Sequence, residues 1–328
     1  MNQPKTTAAH EVPVIHNLIV DACEPGTISK FWLHVVTDGL SRPVQIPVMV
    51  AKGLNSGPVL GLTAAVHGNE LNGIPVIQRL FNEIDIKNLA GTIVGVPVVN
   101  APSLLRRRRR FIDGTDLNHI MPGKPNGNVS EVYAYRLIDR VINQFDYLLD
   151  LHTASFGRVN SYYIRADMND KTTAQLAWLQ NAQIIVNNAP NDGTLRGAAS
   201  NLNIPAITLE VGDPNKFQKG MIRSGMTGIY NVLSHLKMIP GEIDRPAQKA
   251  VLCHASYWIY TDTGGLLDVL PKIAEFIKRG DIIAVQRNIF GEVTRKYICP
   301  EDGIVIGKSV NPISQTGARI LHLGVKFD

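Results

Sequence analysis

Continuous apolar runs and amphipathic stretches alternate along most of this chain, and their lengths separate strands from helices. Residues 31–36 (FWLHVV) and 44–50 flank a turn-forming 39–43, which predicts an opening β-hairpin. Residues 58–65 (PVLGLTAA), 91–99 (GTIVGVPVV), 147–151 and 205–209 read as strands apolar on both faces. Helical spacing runs through 73–83, 129–143, 172–180 and 220–236. Apolar strands alternating with helices predict an α/β fold whose sheet is covered on both faces. Beyond about residue 239 the pattern shortens. Pro240-Gly241 and Pro246 punctuate a boundary, and glycine turns at Gly264-Gly265, Gly280, Gly291 and Gly303 separate short strands. A catalytic-size unit over 1–245 and a small all-β unit over 246–328 are expected.

Composition adds limits. With 45% apolar and 19% charged residues in 328, the chain is long enough for a large core. Its three cysteines, Cys23, Cys253 and Cys299, lie far apart without metal-site or disulfide spacing, which predicts reduced thiols and a cytoplasmic protein. Residues 1–11 carry Pro4, Lys5, His10 and Glu11 and no apolar core, and no later run reaches membrane-span length, so neither secretion nor membrane insertion is expected. The net charge of +5 invites a nucleic-acid reading, but five of those charges are the consecutive arginines 106–110, leaving the remainder balanced. One basic loop without interleaved aromatics makes nucleic acid an unlikely partner.

Chemistry concentrates at strand ends. His67 and Glu70 stand just past the 58–65 strand, where open α/β sheets place functional groups. Two histidines and a glutamate make a common catalytic zinc set with one position left for water. The 147–151 strand runs into His152, a candidate third ligand. Asp150, two residues earlier, shares its strand face and is placed to orient the imidazole. Each signal alone has an ordinary explanation, since the chain holds nine histidines and most such residues are structural. A further carboxylate, Glu210, ends the 205–209 strand, where burial would otherwise be costly, and reads as a general base.

The ordered set HGNE (from His67), DLNH-x-x-PG (from Asp116), LDLHT (from Leu149) and TLEVG (from Thr208) resembles the succinylglutamate desuccinylase/aspartoacylase family, relatives of zinc carboxypeptidases. The resemblance spans roughly residues 67–212. It implies a zinc-carboxypeptidase-like mixed sheet flanked by helices, one Zn²⁺ per chain on His67, Glu70 and His152, and Glu210 promoting the attacking water. It also implies an arginine that polarises the scissile carbonyl, one of Arg108 to Arg110 with Arg110 the first choice and Arg108 a substrate-contacting neighbour, and an Asn-Arg pair that holds a substrate carboxylate. Asn118 is present, but His119 stands where the arginine is expected, and histidine lacks the guanidinium fork. Arg196 is a candidate second guanidinium, with a surface role as its alternative. The arginine run then becomes an electropositive wall that steers anionic substrates.

The C-terminal text resembles the barrel-sandwich domain that follows the catalytic domain in many family members. Its KRGD turn is of the biotinyl/lipoyl type, with no hairpin suited to a covalently attached cofactor. Tyr257, Trp258 and Tyr260 would line the active site or an oligomer contact, or simply pack. The expected activity is a zinc-dependent deacylase cleaving the amide of a small N-acyl amino acid-like substrate, with a homo-oligomer left open. A carboxypeptidase or esterase of the same fold is the nearer alternative. A non-catalytic anion- or nucleic-acid-binding protein is the more distant one.

Overall fold

The computed structural model describes residues 12–190 and 193–326, so the 1–11 segment read above lies outside the described residues. The opening hairpin pairs Thr27–Thr37 with Pro43–Lys52. The apolar runs become Asn55–Ala64, Ala90–Val96, Tyr147–His152 and Ala206–Val211, all within one mixed fourteen-stranded sheet. The second run stops at Val96 because Pro97 has no N–H to continue a ladder. Helices Gly73–Glu83, Val129–Arg140, Lys171–Trp178 and Lys219–His235 match the helical spacings to within a few residues. The Val129–Arg140 helix starts at a capping box, Asn128 and Glu131 each bonding the other's backbone N–H. Two short strands, Tyr162–Ala166 and Ile184–Asn187, and the seven-residue helix Leu195–Asn201 carry too little text for a period to register.

Three parallel neighbours, Asn55–Ala64, Tyr147–His152 and Ala206–Val211, form the centre of the sheet. Their side chains alternate between two cores. Leu149 and Leu151 join Ile207, Leu209 and Val211 beneath helices Gly73–Glu83 and Lys219–His235. Leu148 and Ala206 face the opposite core, with Tyr133 and Leu137 from one helix and Leu195 and Ala198 from another. Along that second face the register pairs Leu148 with Ala206, Asp150 with Thr208 and His152 with Glu210. The face therefore turns from apolar to ionisable toward the carboxyl ends of the strands.

The region after residue 245 is only partly an appendage. Its first strand, Val251–Tyr260, pairs in parallel with Ile184–Asn187 and antiparallel with Arg319–Lys326, extending the central sheet. A separate four-stranded antiparallel sheet stacks on it, with Leu267, Ile283, Tyr297, Ile320 and Leu323 in its own core. The expected α/β architecture with a small β unit is thus present, but the two share a sheet. Among the described residues no helix is long and apolar enough to cross a membrane.

Candidate active site

The loop from Ala65 to Glu70 leaves the Asn55–Ala64 strand through a left-handed turn at Ala65 (φ 51°). Asn100 braces it, donating from Nδ2 to Val66 O at 3.0 Å. Gly68, between the two candidate ligands, lies so close to the Ala101–Leu105 helix that a Cβ there would meet the Ser103 carbonyl carbon at 2.1 Å. On the other side Asn72 donates to Val211 O and accepts from Gln218 N, tying the start of the next helix to the end of the Ala206–Val211 strand. His67 and Glu70 are consequently held at the level of His152 and Glu210.

His67, Glu70 and His152 are all buried, and one ligand atom from each lies within 4.8 Å of the others. His152 Nδ1 is 2.9 Å from Glu70 Oε2, and His67 Nδ1 is 2.9 Å from Oε1. The second contact is too poorly aligned for a hydrogen bond, which leaves His67 Nδ1 a buried nitrogen without a hydrogen-bond partner. The far side of each imidazole meets a carboxylate: His67 Nε2 lies 2.9 Å from Asp116 Oδ1, and His152 Nε2 lies 2.7 Å from Asp150 Oδ2. Asp150 is steadied in turn by the Thr63 hydroxyl at 2.7 Å. Carboxylates on Nε2 direct both Nδ1 atoms to one point, the arrangement that metal-binding histidines adopt. An orphaned buried nitrogen, a carboxylate and a second imidazole converging on that point suit a zinc ion.

Electrostatics reinforce the geometry. Burial opposes ionisation of Glu70, yet His67 and His152 hold its carboxyl below the ordinary range. Burial likewise disfavours a charged His152, but Asp150 and Glu70 outweigh it and shift its titration well upward. Glu210 behaves oppositely: burial raises it above an ordinary glutamate, and Arg165, with Nε 3.8 Å from Oε1, offsets part of the rise. Asn160 Nδ2 donates to Glu210 Oε2 at 3.2 Å. A carboxylate made more basic by burial, beside a cluster that could hold a metal ion, is suited to general-base work.

These groups face a cavity of about 350 Å³. Asn118, His119 and Arg196 also line it. Asn118 spends its Oδ1 on Leu195 N and presents its NH2. His119 is at the mouth, 73% exposed and 3.9 Å from Asp116. Arg196 is buried and pinned to Asn188 O and Oδ1 at 2.7 and 2.6 Å, its guanidinium pushed down to about 10 by burial.

The structure separates the members of the arginine run, and the first choice, Arg110, is not the one brought to the cavity. Arg110 points outward, its guanidinium bonding only Gly114 O, at 3.1 Å, among the described residues, and Arg108 is an exposed residue of a different surface hollow. Arg109 is the member that enters the site. Its Nη1 donates to Glu70 Oε1 at 2.8 Å and to Ser155 Oγ at 2.6 Å, and its Nε donates to Asp116 Oδ2 at 2.9 Å. A left-handed residue at Arg107 (φ 53°) rotates the chain after the Ala101–Leu105 helix and selects which arginine turns inward.

Several lining residues escaped sequence reasoning. Arg158, Asn160, Tyr163 and Arg165 come from the 158–166 segment, and Arg319 and His322 come from the last strand, opposite Trp258. Tyr163 and Arg165 sit two apart on a short strand, a period-2 signal that the SYYIRA text does carry. Of the three aromatics expected to line the active site or an oligomer contact, Trp258 is part of the cavity wall. Tyr257 and Tyr260 are not: Tyr257 bonds Glu301, and Tyr260 borders a neighbouring hollow.

Comparison with known proteins agrees with this architecture. An N-alpha-acetyl-L-2,4-diaminobutyric acid deacetylase from Halomonas elongata is 24% identical over 278 residues, covering 81% of both chains. A succinylglutamate desuccinylase from Pseudomonas paraeruginosa is 26% identical over 289 residues, covering 81% of this chain and 80% of its own. The crystal structure of a succinylglutamate desuccinylase/aspartoacylase from Rhodobacter sphaeroides superposes with a TM-score of 0.83 at 22% identity, covering 92% of this chain and 96% of its own. Residues 56–236, just over half of the chain and the stretch from the first central strand to the last helix, match the succinylglutamate desuccinylase/aspartoacylase catalytic domain. With the site assembled at the ends of those strands, the chain belongs to the succinylglutamate desuccinylase/aspartoacylase family.

Proposed function

We propose that this protein is a zinc-dependent deacylase that cleaves the amide bond of small N-acyl amino acids. The observation that carries the reading is the convergence of His67 Nδ1, Glu70 and His152 Nδ1, each histidine backed by its own carboxylate, in the same cavity as Glu210. Those three side chains would hold the zinc, which when bound supplies Lewis-acid polarisation of the amide oxygen and acidifies water. Glu210 takes the proton of the attacking water and returns it to the departing amine. Its burial raises its basicity for that task, and Asn160 and Arg165 keep the carboxylate facing the cavity.

Arg109, rather than Arg110, takes the carbonyl-polarising role in this proposal, because its guanidinium alone of the run reaches the cavity. The Asn118 NH2 and Arg196 receive the α-carboxylate, and His119 at the rim contributes at most a single contact. A volume of about 350 Å³ favours a small substrate over a peptide. Relatives named as an acetyldiaminobutyrate deacetylase and a succinylglutamate desuccinylase support amide cleavage of this substrate class. Three buried free thiols agree with a reducing, cytoplasmic setting. The test is amine release by zinc-loaded protein over a panel of N-acetyl and N-succinyl amino acids, with Glu210→Gln as the blank. Hydrolysis of short peptides in preference to the panel would overturn it.

A further inference from the structure

Five arginines face the cavity, and their partners divide them sharply. Arg109 is bonded to Glu70, Asp116 and Ser155; Arg165 to the Tyr163 hydroxyl; and Arg196 to Asn188. Arg158 and Arg319 have no hydrogen-bond or ion-pair acceptor for their guanidinium groups among the described residues. Both instead lie over one ring, that of Trp258, with their guanidinium carbons 5.6 and 5.3 Å from its centroid. Strand register sets this arrangement. Tyr260 pairs with Arg319 and Trp258 with His322 across one ladder, and Arg158 pairs with Ser309 across another. His322 stacks on Trp258 at 5.1 Å with an interplanar angle of 11°, which fixes the indole.

Two guanidinium groups gathered on one aromatic ring without an ion-paired acceptor repel each other, and an anion between them relieves that repulsion. Burial, Arg319 and Arg109 disfavour the charged form of Arg158, and Glu70 and Glu210 offset only part of this. The pair stands where the catalytic cavity meets a second hollow of about 460 Å³, since both residues line both spaces. Among the described residues the only carboxylates lining the cavity, Glu70 and Glu210, are committed to the proposed metal site and to base catalysis. A substrate ammonium would therefore find no free acid there.

We propose that Arg158 and Arg319, arrayed on Trp258, form an outer anion subsite that selects N-acyl amino acids carrying a carboxylate beyond the α-carboxylate. This rests on the deacylase reading for its substrate class. The outer subsite belongs to strands from both sides of residue 245, so the C-terminal region sets specificity rather than merely covering the site. A carboxylate that gains charge-assisted hydrogen bonds here should bind about ten-fold tighter than its carboxamide isostere, the partly exposed position keeping the gain at the low end.

Calorimetry in the catalytically blocked Glu210→Gln protein, zinc-loaded and at physiological salt, tests this with three probes. They are N-succinyl-L-glutamate, N-succinyl-L-glutamine and N-succinamoyl-L-glutamate, the last two each lacking one outer carboxylate. At least one amide should bind about ten-fold more weakly than the triacid, and adding Arg158→Gln and Arg319→Gln should shrink that ratio below about three-fold. Arg319→Gln alone, at an exposed position, should lose part of the preference and guards against a folding defect in the combined variant. Absence of triacid binding, affinities within three-fold of each other for all three probes, or a preference that survives both substitutions would overturn the subsite. Failure of the deacylase reading shows separately, as absence of amine release from every probe by the wild-type protein.

Discussion

Replacing Arg109 by alanine removes three charge-bearing hydrogen bonds at once, to Glu70 Oε1, Asp116 Oδ2 and Ser155 Oγ, at 2.8, 2.9 and 2.6 Å. With 31% of its side chain exposed, solvent screens part of this, and the loss of stability should be only about 1–2 kcal/mol. The kinetic loss should be larger. A preorganised donor to a developing oxyanion contributes about 10²- to 10³-fold in rate, or roughly 3–4 kcal/mol. Arg110→Ala removes one exposed bond to Gly114 O and should leave turnover within about three-fold. The assay is kcat and KM of zinc-loaded variants on the best N-acyl amino acid, with thermal midpoints measured in parallel. A drop of that size in kcat and kcat/KM alike for Arg109→Ala, with KM little changed and the protein still folded, is the expected result. Comparable activity for Arg109→Ala and wild type, with Arg110→Ala impaired, would refute the assignment.

Other outcomes follow from the same geometry. Asp150→Asn leaves His152 without its carboxylate partner at 2.7 Å and should weaken zinc affinity about 10- to 100-fold, read by competition with a chelator. Because burial raises Glu210, the acid limb of kcat/KM should lie above the value of about 4.3 for an ordinary glutamate. Arg165 favours the charged carboxylate, so Arg165→Gln should move that limb to higher pH; a shift to lower pH contradicts the electrostatics. Gly61→Ala would drive a Cβ to 2.0 Å from the Phe145 ring and should destabilise by about 1–3 kcal/mol in urea unfolding. Gly39→Ala, in open space, should be within about 0.5 kcal/mol of wild type.

Much of the site is legible because one periodic rule acts on it. The two-residue repeat of a strand puts Asp150 and His152 on one face, and an apolar run that ends in an ionisable residue marks the strand end where chemistry sits. The HGNE spacing is readable for a related reason: the glycine between His67 and Glu70 is the residue that lets the loop lie against Ser103. The arginine run fails for the opposite reason. Five identical side chains carry no pattern, and only the backbone turn at Arg107 decides that Arg109 faces inward. Arg158, Arg319 and His322 are invisible locally because they meet at Trp258 through pairings between segments more than 50 residues apart. The boundary near residue 245 is clear in composition, yet no composition shift announces that Val251–Tyr260 will extend the central sheet.

The central claim is that His67, Glu70 and His152 hold the metal on which catalysis depends, with Glu210 acting beside it rather than binding it. Metal analysis by mass spectrometry on purified wild type, His67→Ala/His152→Ala and Glu210→Gln, each assayed for amine release, addresses that claim most directly. The account predicts one zinc ion per chain in wild type and in Glu210→Gln, little or none in the double variant, and activity only in wild type. A full zinc complement in His67→Ala/His152→Ala, or undiminished turnover in Glu210→Gln, would contradict it.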